Sequence, residues 1–232
     1  MALIVASASS QYATSDVDTE DFFPGPISFH GWFKPTSNGA TQTFFCHGRS
    51  DSTTFIALFQ LLDSGAARIW CGGNTAGHRL DSTELVDFDA WNAIGGTWNG
   101  TACDVWVNGV KASFTSSSAY AATTVADFRV TLGATRTTSV SSYFNGKISQ
   151  AAIWNQANAD ADYNTLLTTA PGDAGIANIG SRWVLAADGN DAEATNVTNL
   201  SGVNSPTFST ADEPPLGGVV IVPRFFFMGM AI

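Results

Sequence analysis

The sequence predicts an all-β chain, two antiparallel sheets packed as a sandwich with one short helix. Three observations carry this. Short apolar and β-branched runs recur along the chain, punctuated by the steps Asn99-Gly100, Asn108-Gly109 and Asn145-Gly146. Charged residues make up only 13% of it, while Thr, Ser, Gly and Trp are abundant, a composition that favours short strands over helices. A length of 232 residues suits a single sandwich that can bury its core without metal or a disulfide framework.

The elements follow in order. Met1 to Ala6 reads as a first strand; it is apolar but lacks the basic start of a targeting segment. Ile27 to Pro35 reads as an early core strand. Phe55 to Leu62 alternates, turns at Asp63-Ser64-Gly65 and returns as Ala67 to Cys71. Asn108-Gly109 has alternating apolar residues on both sides, the strongest short hairpin signal, because both turn residues must tolerate positive φ. Asn99-Gly100 and Asn145-Gly146 repeat the device. Asp127 to Gly133 has the period-two pattern of a half-buried strand. Asn158 to Leu167 is the helix, with an Asn cap, acids in its early turns and Pro171-Gly172 beyond its end. Ser181 to Ala186 reads as another strand, and Asp188 to Ser205 as a polar loop. The first strand is expected to return beside the last, since a sandwich must cover both ends of its sheets.

The order of these pieces resembles the laminin-G-like and pentraxin-like domains of the concanavalin A-like lectin/glucanase superfamily. The residues that carry the resemblance are Trp91, Thr97-Trp98-Asn99-Gly100, Val107-Asn108-Gly109, Leu132-Gly133, Phe144-Asn145-Gly146-Lys147-Ile148 and Ile153-Trp154-Asn155. Ile27 to Pro35 looks like the family's early core strand, and Asn158 to Leu167 like its short helix. The resemblance spans roughly residues 1–210 and implies a two-sheet antiparallel jelly roll. It implies little about function, since one fold hosts many. The domain is expected over residues 1–213, followed by an apolar C-terminal docking tail at 214–232.

Composition excludes several function classes. A net charge of −10 without a Lys or Arg cluster argues against duplex nucleic acid or an anionic membrane as partner. Glycosidases of related jelly rolls place paired carboxylates on one strand. Glu20, Glu84, Glu193 and Glu213 lack that spacing, and Asp87 and Asp89 read as a turn before Trp91. His30, His47 and His78 lie in separate segments without ligand spacing and are expected to be structural. The expectation is a protein that is not an enzyme. Cys46, Cys71 and Cys103 lie in separate strand-like segments, favouring buried free thiols, with one bridge left open beside that reading.

Two candidate sites are legible. Where the resemblance puts an acid after Gly146-Lys147-Ile148, this chain has Ser149-Gln150. Asp16, Asp18, Glu20 and Asp21 form an acidic cluster that is either a solvated loop, the commoner case, or a site for a hard cation such as calcium. Most tryptophans fall where the family fills its core. Tyr120, Tyr143, Asn74 and His78 are therefore the candidates for an exposed sugar platform.

Residues 216–232 are almost wholly apolar, with one charge at Arg224, but too interrupted to span a bilayer comfortably. Val220, Val222, Phe225, Phe226 and Phe227 are the expected docking residues for a capsid or fibre partner or for self-association. These features suit a virion-associated module, made in the cytoplasm without a signal and displayed on a virion surface. A glycan-binding lectin-like adhesion module is the alternative, and a glycoside hydrolase the weakest one.

Overall fold

The computed structural model describes residues 2–15, 26–49, 55–71, 79–99, 102–115, 128–183, 185, 200–209 and 213–216. Two antiparallel sheets face each other. The eight-stranded sheet is built from β1 (Ala2–Val5), β3 (Ile27–Pro35), β8 (Asn92–Trp98), β9 (Ala102–Val107), β10 (Val110–Thr115), β14 (Gly146–Trp154), β15 (Ile179–Trp183) and β17 (Thr207–Ser209). Its order is β10-β9-β8-β3-β14-β1-β17, with β15 also on β14. The seven-stranded sheet uses β2 (Tyr12–Ser15), β4 (Gln42–Arg49), β5 (Phe55–Leu61), β6 (Ala66–Cys71), β7 (Arg79–Leu85), β11 (Phe128–Leu132) and β16 (Leu200–Val203), in the order β16-β2-β11-β4-β5-β6-β7. A small hairpin of β12 (Thr135–Arg136) and β13 (Val140–Ser141) accompanies them. The jelly-roll sandwich is as expected. β1 lies between β14 and β17, with Ala2 opposite Ser209, so the first strand returns beside the last strand among the described residues.

Strand alternation builds the core. Ile27, Phe29 and Phe33 of β3 point between the sheets, where Phe29 stacks on Phe45 at 4.1 Å and meets Phe59 at 5.3 Å. Phe33 and Phe44 lie 4.6 Å apart at the other end of this aromatic file. Trp98 and Trp183 join the same core. A second apolar layer lies outside the eight-stranded sheet, where Trp106, Ala152 and Trp154 pack under Tyr163 and Leu166 of the helix α1 (Asp160–Leu166).

Two consecutive glycines in β8 make both layers possible. A Cβ on Gly96 would collide with the Phe59 ring inside the sandwich, and one on Gly95 with the Tyr163 ring outside it. Bare backbone is the only surface that lets both rings approach one strand.

The Asn108-Gly109 hairpin forms as expected, with φ of 50° and 86° and Val107 opposite Val110. Its Asn is also fixed by contacts: Oδ1 accepts the Ala93 N–H at 2.9 Å and Nδ2 donates to Asn92 Oδ1 at 3.0 Å. Asn99 turns the chain by accepting the Ala102 N–H at 2.8 Å. Asn145-Gly146 is not a hairpin turn. Gly146 opens β14 with φ 147°, pressed against the Lys34 carbonyl where a Cβ would clash.

Other local expectations shift for physical reasons. The helix cap is Ala159, not Asn158: the Ala159 N–H is taken by Asp162 Oδ2 at 2.7 Å. Asn158 instead donates its N–H to Ser28 Oγ at 2.8 Å. The strand expected at 181–186 begins earlier, at Ile179. The polar stretch after Asp188 ends in a strand, because Leu200 to Val203 pairs with β2 despite its polarity. Cys103 is disulfide-bonded, whereas Cys46 is a free, buried thiol whose pKa burial pushes up to about 12. Of the two readings left open for the cysteines, the bridged one therefore holds for Cys103 and the free thiol for Cys46. No helix among the described residues is long and apolar enough to cross a membrane.

Gly96→Ala should lower stability by about 1–3 kcal/mol, the usual range for overpacking a filled core, read as a drop in melting temperature. Gly95→Ala should do the same. Wild-type melting in both variants would contradict the two-ring account of β8.

Candidate functional site

A sandwich offers a ligand two outer sheet faces and the loops at its ends. Part of the outer face of the eight-stranded sheet is covered by α1, over Trp106, Ala152 and Trp154. Tyr163 stacks on Trp106 at 3.8 Å, and its hydroxyl donates to the Gly96 carbonyl at 2.6 Å and lies 2.9 Å from Thr97 Oγ1. Ser28 Oγ donates to the Gln156 carbonyl at 2.7 Å beside them. Burial pushes the Tyr163 hydroxyl above its ordinary pKa. His30 sits in the same layer, its ring 6.5 Å from Tyr163, and burial lowers its pKa to about 3. It is neutral and sealed, as the structural reading expects; His47 is likewise buried in β4.

The outer face of the seven-stranded sheet is different. One register row crosses every strand, through Ser201, Thr14, Thr131, Cys46, Leu58, Trp70 and Arg79. Residues paired across antiparallel strands share a face, so this row lies on one face of the sheet, covered at Cys46 by the Arg136 backbone of the small hairpin. Its middle is apolar, with Cys46 and Leu58 buried and Trp70 packed against them. Trp70 is half-buried. Its Nε1–H donates to Gln60 Oε1 at 3.1 Å, which fixes the indole.

Charged groups flank this indole. Arg68 Cζ lies 6.0 Å and Arg79 Cζ 5.3 Å from the Trp70 ring centroid, within cation–π range. Arg68 grips both oxygens of Asp81, at 2.6 and 2.8 Å. That grip, with a smaller pull from Arg79, holds the Asp81 carboxyl below its ordinary pKa. At the other end of the row, Arg136 Nη1 reaches Thr14 Oγ1 at 3.4 Å.

The candidates read from sequence divide by place. Tyr143 lies at the end of β2 marked by Tyr12, its ring 6.2 Å from that tyrosine, with its hydroxyl donating to the Val140 carbonyl at 3.3 Å. It is half-buried and used locally. Tyr120, Asn74 and His78 lie outside the described residues, as do Asp16, Asp18, Glu20, Asp21 and the docking residues Val220, Val222, Phe225, Phe226 and Phe227. The strand ends that flank 16–25, 72–78 and 116–127 are nonetheless described. Ser15, Cys71, Arg79 and Phe128 all stand at one end of the seven-stranded sheet, opposite to Tyr143. Sequence reasoning missed Trp70. The signal was present, since alternation that turns Ala67 and Ile69 inward turns Arg68 and Trp70 outward.

Of the carboxylates weighed for catalysis, the described Glu84, Asp87, Asp89 and Glu213 are surface groups. Asp87 and Asp89 are exposed, and Asp89 accepts the Thr36 hydroxyl at 2.8 Å in the turn before β8. No group of three or more His, Cys, Asp or Glu that could hold a metal occurs among the described residues.

Residues 7–162 match the Laminin_G_3 family model, described as concanavalin A-like lectin/glucanases superfamily. The chain belongs to that family. No curated protein matches the sequence. Among solved structures the family likeness extends to a candidate carbohydrate-binding protein from Bacteroides ovatus, at TM-score 0.63 and 15% identity over 92% of this chain. This chain spans 60% of that protein's length. The CBM40 domain of the Ruminococcus gnavus IT-sialidase is similar at TM-score 0.57 and 17% identity, over 71% of this chain and 95% of its own. A heptameric SAP-like pentraxin from Limulus polyphemus gives 0.51 and 11%, over 67% and 75%. At these identities the likeness is one of fold.

Burial of His30 generates a pH prediction. The unfolded chain protonates this imidazole near its ordinary pKa of 6.5, and the folded chain only near 3. The unfolded state therefore holds the extra proton between those values, and stability must fall as pH falls through that window. The slope from one such group is about 1.4 kcal/mol per pH unit. His30→Gln should flatten the curve by that amount in urea unfolding measured across the window; an unchanged slope would show that His30 titrates freely in the folded state.

Proposed function

We propose that this chain is a non-catalytic glycan-binding module whose sugar site is the outer face of the seven-stranded sheet around Trp70. The observation that carries this is a half-buried indole, fixed by Gln60, on the outer face that α1 leaves uncovered. An aromatic face stacks on the apolar face of a pyranose, while polar groups beside it bond the hydroxyls. Gln60, Arg68, Asp81 and Arg79 are those groups here. Asp81 is held ionised by Arg68, which suits a hydrogen-bond acceptor and not a general acid. In support, the Bacteroides protein is described as a candidate carbohydrate binder and the Ruminococcus gnavus CBM40 domain was solved with sialyllactose.

Display on a virion surface through the C-terminal segment is a separate proposal. It is carried by the apolar composition of 216–232. Deleting 217–232 should leave the sandwich folded and release it from its particle or partner; a truncated chain that still assembles removes that idea.

A glycan array is the test of the sugar site. Wild-type protein should bind a subset of oligosaccharides, and Trp70→Ala should weaken that binding at least about tenfold, or ~1.4 kcal/mol, with unchanged circular dichroism. No binding to any glycan, or binding indifferent to Trp70, would remove the reading. Release of reducing sugar from β-glucans would overturn its non-catalytic part.

A further inference from the structure

We infer that the Trp70 face selects sugars bearing a carboxylate, and that Arg79 is the residue that reads the charge. The inference rests on the glycan-binding reading of that face and names its ligand class.

The argument starts from an imbalance. The chain carries net charge −10, yet five of its seven arginines, Arg49, Arg68, Arg79, Arg129 and Arg136, belong to the strands of the seven-stranded sheet and the small hairpin beside it. Arg68, Arg129 and Arg136 are engaged. Arg68 is held by both Asp81 oxygens, Arg129 Nη1 donates to the Ser15 carbonyl at 3.4 Å, and Arg136 Nη1 reaches Thr14 Oγ1. Arg79 is exposed and makes no ion pair or hydrogen bond among the described residues; its contact there is with the face of Trp70. A guanidinium has five donors in a planar fork that matches the two oxygens of a carboxylate. Stacking on the indole orients such a fork while leaving its donors open.

The neighbouring pair explains why Arg79 stays available. Asp81 is two residues along the same strand and would be the natural partner of Arg79. Arg68 occupies both Asp81 oxygens instead, in a bidentate grip that a single-point contact with Arg79 would not match. The outcome is a ring for the apolar face of a sugar with one open fork 5.3 Å from its centroid. A neutral sugar would use the ring and leave the fork unanswered. An acidic sugar answers both.

The experiment compares sialyllactose with lactose by titration calorimetry, with glucuronate-terminated oligosaccharides and their neutral glucose counterparts as a second pair. Wild-type protein should bind the acidic member at least about tenfold tighter, the range of a charge-assisted bond. Arg79→Ala, an exposed change that should leave melting unaltered, should bring the ratio close to one. Arg79→Lys keeps the charge without the fork and should recover only part of it. Asp81→Asn removes the competing carboxylate and should raise affinity for the acidic sugar about twofold to fivefold, a gain that misfolding cannot produce. Equal binding of acidic and neutral members, or a preference that survives Arg79→Ala, overturns the inference while sparing the glycan site. Absence of binding to every sugar overturns the glycan reading itself.

Discussion

Both packed layers depend on two adjacent bare residues in one strand. At Gly95 and Gly96 the backbone of β8 is bare on both faces, and an aromatic ring lies on each side. Phe59 comes through from the opposite sheet and brings Phe29 and Phe45 into one aromatic cluster. Tyr163 comes down from the helix, stacks on Trp106 and bonds the Gly96 carbonyl. Sheet separation and helix docking are thus set by the same two residues. Side chains there would move both layers at once, because packed interiors have little room to relax.

The two outer faces differ. The layer under α1 is dominated by Trp106, Trp154, Tyr163 and Leu166, which fills that part of the outer face with packed apolar groups. The seven-stranded sheet turns Trp70, Gln60, Arg68 and Asp81 outward from strands whose alternate residues fill the core. A rigid sheet holds such groups more firmly than a loop does, because each is fixed by its strand register and by a neighbour. The indole is tied by Gln60, and the acid by Arg68.

Much of this was legible in the sequence, and the failures have identifiable causes. β3, the β5–β6 hairpin and the Asn108-Gly109 turn follow from alternation and turn chemistry, which are local. Asn145-Gly146 misled because the same dipeptide serves a different constraint, the close pass of Gly146 by the Lys34 carbonyl. The Asn158 cap misled because Ser28, 130 residues away, takes that N–H. β16 was hidden in polar residues since its partner strand, not its own hydrophobicity, makes it a strand. Trp70 was overlooked by treating tryptophans as core residues. For Trp32, Trp98, Trp106, Trp154 and Trp183 that was right, all being 5% exposed or less, while Trp91 is half-buried. Trp98 and Trp183 face the core and Trp106 and Trp154 lie under α1, whereas Trp70 stands on the outer face of the other sheet.

The pairing of the first strand with the last has a mechanical consequence. Ala2 and Ser209 sit opposite each other at one end of an antiparallel ladder. Bonds in such a ladder run across the strands, so tension pulling those two residues apart lies along the bonds and opens them one at a time. β17 has only three residues, while β1 stays anchored on its other side by β14. Load entering through both flanks would peel β17 away and stop there, lengthening the chain at the corner while the aromatic core and the indole face keep their shape.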